Sequence, residues 1–436
     1  MIDIRALREN PNETKELLSR RGIDTAVVDE LLEIDLRLRS SVSKRDSLRA
    51  VINDLSRSVA EAYRQKETAL AQELKEESKA HGEALEELSK EVSELENARR
   101  DLWLVIPNVP SLDTPIGQGE KDNVILRYWS PKTGHSTVEV DLDYEPAQKV
   151  PHWEIGAALG ILDLERAAKL SGSMFPMYKG AGARMLRALT SFALDAHSDA
   201  FLEVRPPTFV KRETMISTGH LPKFAEDAYQ MERDDLWAIP TAEVPLTSMA
   251  RDEILPSEEL PIRMTAATPC FRREAGSAGR DTRGLLRLHE FDKVELMVYS
   301  NPKDSQGVFM DMLRRAEGIL QSLGLTYRVL DLCTGDIGAS AKRTFDLEAY
   351  SPGVGRWLEV SSVSWFGDYQ ARRANIRFRD ASTNEVSYVD TLNGSALAWA
   401  RVFAVLIETY RNQDESVTIP LVLVPYMGGI QNIVPK

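Results

Sequence analysis

The sequence predicts an α+β protein: an N-terminal antiparallel helical hairpin over residues 1–106, a linker over 107–123, and a domain over 124–436 built on an antiparallel sheet flanked by helices. Three observations carry this expectation. Apolar residues between 31 and 106 recur at alternating three- and four-residue steps, the period of a coiled-coil seam. Proline is absent from 27–106 and then appears twice in Ile106-Pro107-Asn108-Val109-Pro110, which stops a helix. Beyond residue 124, short β-branched and aromatic runs alternate with turns and a few helical stretches.

The elements follow in order. Residues 1–25 predict a short helical cap with Ile4, Leu7, Leu17 and Leu18 available to pack. The first arm helix carries Leu31, Ile34, Leu38, Leu48, Ile52, Leu55 and Val59 in its seam. The second carries Leu74, Leu85, Leu88, Val92, Leu95, Leu102 and Ile106, with the chain reversing around Tyr63–Thr68. Ser41, Arg45, Ser78, His81 and Arg99 are polar interruptions of that register. Each arm is then on the order of 50 Å long at about 1.5 Å per residue. The first helix holds Arg37, Arg39, Lys44, Arg45, Arg49 and Arg57, while the second is mostly acidic. A basic face of this kind can track an RNA backbone, or pair with the acidic neighbour as a solvated face of a dimerising rod. The arm alone leaves both open.

In the second domain, Trp153–Lys169 and Ala181–His197 read as helices. Phe201–Arg205, Trp237–Ile239, Thr265–Arg272, Lys293–Tyr299, Thr326–Leu332, Arg356–Ser362 and Asn375–Arg379 read as strands.

Bulk properties bound the function. The 436 residues are 43% apolar and 28% charged, with a net charge of −13. This excludes nonspecific, whole-surface binding to nucleic acid but not a local basic strip. No apolar run approaches the roughly 18 residues of a membrane span, and the charged N-terminus predicts no secretory signal. Two cysteines and six scattered histidines give neither a disulfide framework nor zinc-ligand spacing, so a cytoplasmic protein without zinc is expected.

Chemistry concentrates in Thr268–Glu295. A strand ends in Phe271-Arg272-Arg273-Glu274 and enters a loop with Gly276, Gly279 and Gly284, flanked by Arg280 and Arg283. It returns through Arg287-Leu288-His289-Glu290-Phe291 to a second strand. An arginine held on a strand presents a planar fork to a phosphate or carboxylate. Gly180-Ala181-Gly182, by contrast, lacks the strand and acidic partner of a dinucleotide fold and reads as a turn before a helix.

The ordered run resembles motif 2 of class II aminoacyl-tRNA synthetases, in the form used by seryl-tRNA synthetases of bacterial type. Other segments match in order: Phe201–Pro207 resembles motif 1, Ile239–Thr247 the loop that closes on the serine amino group, and Leu358–Ser362 with Gln370–Arg373 the metal- and ATP-binding strand and its sequel. Thr391–Arg401 resembles motif 3, and Val424–Gly429 the family ending. The resemblance implies a class II catalytic domain behind a tRNA-binding coiled-coil arm, acting as a homodimer joined through motif 1. The implied reaction activates L-serine with Mg·ATP to seryl-adenylate and transfers it to the 3′ end of tRNA(Ser), with tRNA(Sec) as an additional acceptor in this family.

By resemblance, Arg272, Arg401 and Glu359 are catalytic. Thr241, Ala242, Glu243, Arg272, Glu295, Asn393 and Ser395 bind serine. ATP falls to Arg272, Arg273, Glu274, Leu288, Phe291, Glu359, Val360, Ser361, Ser362 and Arg401. Glu359 and Ser362 hold Mg²⁺, and Arg37, Lys44, Arg45, Arg49, Arg280 and Arg283 meet tRNA. These residue types suit the chemistry, because joining two anions needs positioned cations far more than a general base.

Some positions depart from the family pattern. Val363-Ser364-Trp365 replaces Cys-Ser-Asn, and Gly367 stands where an acidic residue is common. Ala396, Trp399 and Ala400 alter motif 3, and Leu288 and Glu290 replace positions that are often Gln. The expectation from sequence is a remodelled outer wall of the pocket, as an inhibitor-tolerant or accessory copy has; sequence drift produces the same changes. Two other readings stand beside the ligase. A ligase that loads a carrier protein is opposed by the full-length arm. A non-catalytic RNA-binding paralogue is opposed by the retained Arg272, Glu274, Glu359 and Arg401.

Overall fold

The computed structural model describes residues 1–275 and 283–435, which form two compact units. One comprises Ile4–Ser19 and Ile23–Pro107; the other comprises Met1–Asp3, Arg20–Gly22 and the chain from Asn108 onward. No helix among the described residues is long and apolar enough to cross a membrane.

The first unit is dominated by helices α1 (Ala26–Arg64) and α2 (Thr68–Val105), packed along the expected seam and reversing where the polar stretch predicts. Leu31, Leu38, Val92 and Leu95 are buried in it. Among the polar interruptions, Ser41 donates to Glu91 at 3.1 Å. Near the arm's base Asp35 is fully buried and receives Arg8 at 2.6 and 2.7 Å, Arg39 at 3.1 Å and Arg99 at 3.2 Å. Burial pushes its carboxyl up, but the bonds from Arg8 and Arg99 outweigh that and leave it below the usual range. Of the basic residues assigned to tRNA, Arg45 and Arg49 both face Asp46, at 3.1 and 3.9 Å. Arg37 and Lys44 are exposed and make no ion pair among the described residues.

The second unit is built on a nine-stranded sheet. Its strands are β1 (Val124–Ser130), β2 (Gly134–Ser136), β3 (Leu202–Glu203), β4 (Ile262–Phe271), β5 (Glu290–Ser300), β6 (Tyr327–Asp331), β7 (Arg343–Ser351), β8 (Arg356–Gly367) and β9 (Asp390–Ala398). Their order is β2-β1-β6-β7-β8-β9-β5-β4-β3, antiparallel throughout except for β3 beside β4. Helices α3 (Ala181–Asp195), α4 (Ser305–Ser322) and α5 (Trp399–Thr409) pack on the sheet, where Val294, Leu296, Val298, Val363 and Leu392 enter one large core.

Sequence and structure differ in places. The helix expected over Trp153–Lys169 is two, His152–Ala158 and Leu164–Ser171, because Gly160 at φ 64° turns the chain between them. Gly180, at φ 53°, does precede a helix as a turn. Helices α4 and α5 and strands β1, β2, β7 and β9 add to the elements expected from sequence.

Candidate active site

Strands β4, β5, β8 and β9 present their other face to a cavity of about 370 Å³. Arg272 enters it from the end of β4, its backbone pinned to the opposite limb. Its N–H donates to the His289 carbonyl at 2.9 Å, and its own carbonyl lies 3.0 Å from His289 Nδ1. The Arg272 guanidinium sits 5.2 Å from the centre of the Phe291 ring. Glu274, in a left-handed conformation at φ 50°, accepts Arg287 at 2.7 Å. Leu288 gives the same wall an apolar patch. The cavity therefore joins a cation to an aromatic face.

On β8 a strict two-residue alternation would send Glu359 and Ser362 to opposite faces. The register with β7 shifts there, Leu347 facing Ser361 and Glu348 facing Glu359, so Val360 is an extra residue. This bulge re-aims the strand, and Glu359 and Ser362 reach one cavity. A second register shift, between Ser395 and Leu397 on β9, lets Ser395 and Ala398 both line it. Ser361 donates to the Ser395 carbonyl at 2.6 Å across the two strands. Arg401 closes this end, donating to the Glu359 carbonyl at 2.8 Å and the Leu286 carbonyl at 3.2 Å.

At the opposite end two carboxylates are buried. Glu243 accepts Gln370 Nε2 at 2.6 Å on one oxygen and Asn393 Nδ2 at 2.7 Å on the other. Gln370 is itself fixed by the Thr391 hydroxyl, which donates to its carbonyl oxygen at 2.7 Å. Burial first, then the charge of Glu295, pushes Glu243 up to about 7, against the opposing pull of Gln370. Glu295 accepts the Thr241 hydroxyl at 2.9 Å and is ion-paired with Lys293, while its Oε1 is buried without a hydrogen-bond partner among the described residues.

Most residues assigned to serine and ATP thus meet in one place: Thr241, Glu243, Arg272, Glu274, Leu288, Phe291, Glu359–Ser362, Asn393, Ser395 and Arg401 line the cavity. Ala242, Arg273 and Glu295 do not. Ala242 is fully buried beneath it, Arg273 is exposed outside it with its backbone N–H on the Asp227 carbonyl at 2.8 Å, and Glu295 lies behind Thr241 and Lys293. Arg283 is exposed, 4.7 Å over the Trp153 ring, and Arg280 lies outside the described residues. Lys293, Gln370 and Thr391 were missed. Lys293 was within reach of sequence reasoning, since it stands two residues before Glu295 on a strand and so shares its face.

The departures from the family pattern fall mostly elsewhere, which corrects the expectation of a remodelled pocket wall. Val363 is in the core on the far face of the sheet, and Trp365 points the same way, its indole tilted against Phe309 at 6.3 Å and donating to Asp390 at 2.8 Å. Ala396 belongs to that core at the register shift in β9, and Trp399 packs against it too. Only Leu288 and Ala400 among the altered residues line the cavity. Trp365→Phe is therefore expected to cost about 1–2 kcal/mol of stability through the lost bond to a buried carboxylate. The KM values for serine and ATP should stay within about twofold. Thermal unfolding and exchange kinetics on the same preparation check this; a tenfold rise in either KM would place Trp365 back in the pocket wall.

Family models match both parts of the chain: the seryl-tRNA synthetase N-terminal domain over residues 1–110, and the class II tRNA synthetase core domain (G, H, P, S and T) over residues 225–410. The serine–tRNA ligase of Geobacillus kaustophilus is 47% identical over 431 residues, 98% of this chain and 99% of that one. Among solved structures, seryl-tRNA synthetase from Pyrococcus horikoshii complexed with ATP superposes with a TM-score of 0.89 at 36% identity, covering all of both chains. The cytoplasmic serine–tRNA ligase of Naegleria fowleri in complex with AMP gives 0.84 at 29% identity, covering 100% of this chain and 99% of that one.

Proposed function

We infer the reaction in detail from one premise: the chain belongs to the seryl-tRNA synthetase family and is a class II serine–tRNA ligase. The observation that carries the residue-level reading is the pairing of Arg272 with Glu243 across a single cavity. An amino acid is an ammonium and a carboxylate on one carbon, and such a site offers each its opposite charge. Arg272 takes the serine carboxylate and the α-phosphate of ATP, bringing two anions into reacting distance. Glu243, held on both oxygens by amides, accepts the ammonium. Thr241, whose own proton goes to Glu295 behind it at 2.9 Å, accepts the side-chain hydroxyl. The adenine lies between Phe291 and Arg401, with Glu274 at its edge.

Glu359 and Ser362 are the hard oxygen donors that suit Mg²⁺ bound through few protein ligands and substrate phosphates. Beside them Asp346 Oδ1 is buried without a hydrogen-bond partner among the described residues, and burial followed by the neighbouring Glu359 pushes that carboxyl well above its usual range. Bound there, Mg²⁺ neutralises charge on the ATP phosphates. The arm of α1 and α2 grips tRNA(Ser) outside the anticodon through exposed cations such as Arg37 and Lys44, and tRNA(Sec) is a second acceptor. A homodimer forms along the motif 1 edge, where Leu202 is 67% exposed. With tRNA as substrate, the protein works in the cytoplasm.

Two results follow for the serine end. Gln370→Ala frees one oxygen of Glu243 and should raise the KM for serine about 10- to 100-fold while the KM for ATP stays within about threefold. Equal rises in both would assign Gln370 to general packing. The second result concerns pH. Glu243 must be ionised to hold an ammonium, and its value lies near about 7. Exchange kcat/KM for serine should therefore rise with pH and level off above about 7, because the raised carboxyl binds a proton below that point. Glu243→Gln should lose this limb along with most of its activity. A flat profile between pH 6 and 8 in the unaltered enzyme would contradict the assignment.

The direct test is ATP–pyrophosphate exchange with serine against alanine, threonine and cysteine. Exchange that depends on serine supports the reading, and none with serine overturns it.

A further inference from the structure

Behind the side chains that line the cavity, a buried histidine is bonded to the backbone of its wall. His152 opens the helix His152–Ala158 and, like Glu408 near the end of α5, is fully buried. Its Nδ1 lies 2.8 Å from Glu408 Oε1, and its backbone N–H donates to the same oxygen at 2.9 Å. On the other side of the ring, the backbone N–H of Leu285 donates to Nε2 at 3.0 Å. An amide nitrogen can only donate, so Nε2 is an acceptor and the ring proton sits on Nδ1, facing the carboxylate. The imidazole is therefore neutral and in one tautomer, since a second proton would set two donors against each other at Leu285. The other oxygen of Glu408 receives the Ser351 hydroxyl and the Gly353 N–H, the latter at 3.1 Å. A carboxylate bonded on both oxygens holds the ring in place.

We propose that His152 is a positioning residue for ATP: it fixes the limb from Gly284 to Leu288, and through that limb the seat of Arg401. The proposal rests on the serine–tRNA ligase reading and adds a residue that governs nucleotide binding without touching the nucleotide.

Three further observations tie His152 to the site. Leu285, Leu286, Arg287 and Leu288 all line the cavity, so a displaced limb moves the wall itself. The limb is also held twice from one helix. Glu408 grips Leu285 through His152, and Arg401, about two turns earlier on α5, donates from Nε to the Leu286 carbonyl at 3.2 Å. A shift at Leu285 thus carries away the acceptor that orients Arg401. Finally, the packing leaves no slack. Gly284 is left-handed at φ 69°, and a Cβ there would stand 2.4 Å from His152 Nε2 and 2.6 Å from the Trp153 ring. A Cβ on Gly353 would stand 2.7 Å from the Glu408 carboxyl carbon. Glycine at both positions lets limb, ring and carboxylate meet. The serine end is held separately, by Gln370 on Glu243 and Glu295 on Thr241, so the effect of His152 should fall on ATP.

Asparagine and glutamine divide the two ring nitrogens between them. His152→Asn keeps a donor near Nδ1 for Glu408 but leaves the buried Leu285 N–H without its acceptor. His152→Gln reaches the Nε2 position with an amide oxygen. In serine-dependent exchange, His152→Asn should raise the KM for ATP about 5- to 150-fold, while the KM for serine stays within about twofold. His152→Gln should return the KM for ATP to within about threefold of the unaltered enzyme. Equilibrium binding of ATP in the absence of serine should show the same pattern in Kd. Replacing the Leu285 amide by an ester, through the α-hydroxy acid analogue of leucine, removes the same N–H with His152 intact. It should reproduce the asparagine effect, and it carries the test if His152→Asn does not fold. A KM for ATP unchanged in the asparagine or ester variant, equal rises in both KM values, or glutamine no better than asparagine would overturn the proposal. Failure of the unaltered enzyme to exchange with serine would instead overturn the underlying reading, and the Kd for ATP would still report on His152.

Discussion

Arg272→Ala is expected to lower serine-dependent exchange by at least about a thousandfold. Removing one preorganised donor to a developing anion costs about 10²–10³ in kcat. Arg272 has two anions to serve, so the loss should exceed that range. Its backbone is tied to His289 in both directions, at 2.9 and 3.0 Å, and its guanidinium has no ion pair among the described residues that would compete with substrate. The group is held in place and left unneutralised, as a substrate-facing cation must be. Arg272→Lys keeps the charge but loses the planar fork, and should recover only part of the rate. Pre-steady-state adenylate formation checks both variants, and an Arg272→Ala enzyme within tenfold of the unaltered one would exclude the assigned role.

Deleting residues 35–100 is expected to divide the two half-reactions. Exchange should stay within about twofold, whereas tRNA charging should fall by more than about 100-fold. The physical reason for exchange surviving is that the catalytic unit keeps its own N-terminal contacts: Asp3 accepts Arg372 at 2.6 Å and Arg21 caps the Gly338 carbonyl at 3.3 Å, both outside the deleted span. The reason for charging to fail is loss of electrostatic contact, since each phosphate neutralised by Lys or Arg contributes through counterion release. Short of deletion, removing Arg37 and Lys44 together should weaken tRNA binding and flatten its salt dependence by about two contacts. Arg45 and Arg49, already facing Asp46, should contribute less. Charging that survives the deletion would mean the arm is no tRNA grip.

The arm was legible residue by residue, because a seam of period 3.5 and a proline stop are local signals. The sheet was legible in part. Strands such as β4 and β5 carry scattered β-branched and aromatic residues (Ile262, Thr265 and Phe271; Phe291, Val294 and Val298), while β9, Asp390–Ala398, is small and polar because its Asn393 and Ser395 line the cavity. Helix α4 was missed although its Val308, Phe309, Met312, Leu313 and Ala316 fall at helical spacing. In the site, resemblance to the family motifs named most of the cavity-lining set, but not that Val360 is a bulge residue. A register shift depends on the partner strand and leaves no mark in one sequence. Gln370 was invisible as a clamp because its partners Glu243 and Thr391 come from other elements. Trp365 misled for the opposite reason: it is three residues from Ser362, and only the strand's facing puts it behind the sheet.

The central claim is that one cavity recognises serine through Arg272, Glu243 and a hydroxyl acceptor at Thr241, held by Glu295 behind it. Exchange kcat/KM for serine against alanine tests it most directly, because the two substrates differ by that hydroxyl alone. A site built to hydrogen-bond a hydroxyl rejects the analogue lacking it by about 10⁴–10⁵, so serine should exceed alanine by at least about 10⁴. A ratio near one, or no exchange with serine at all, would contradict the account.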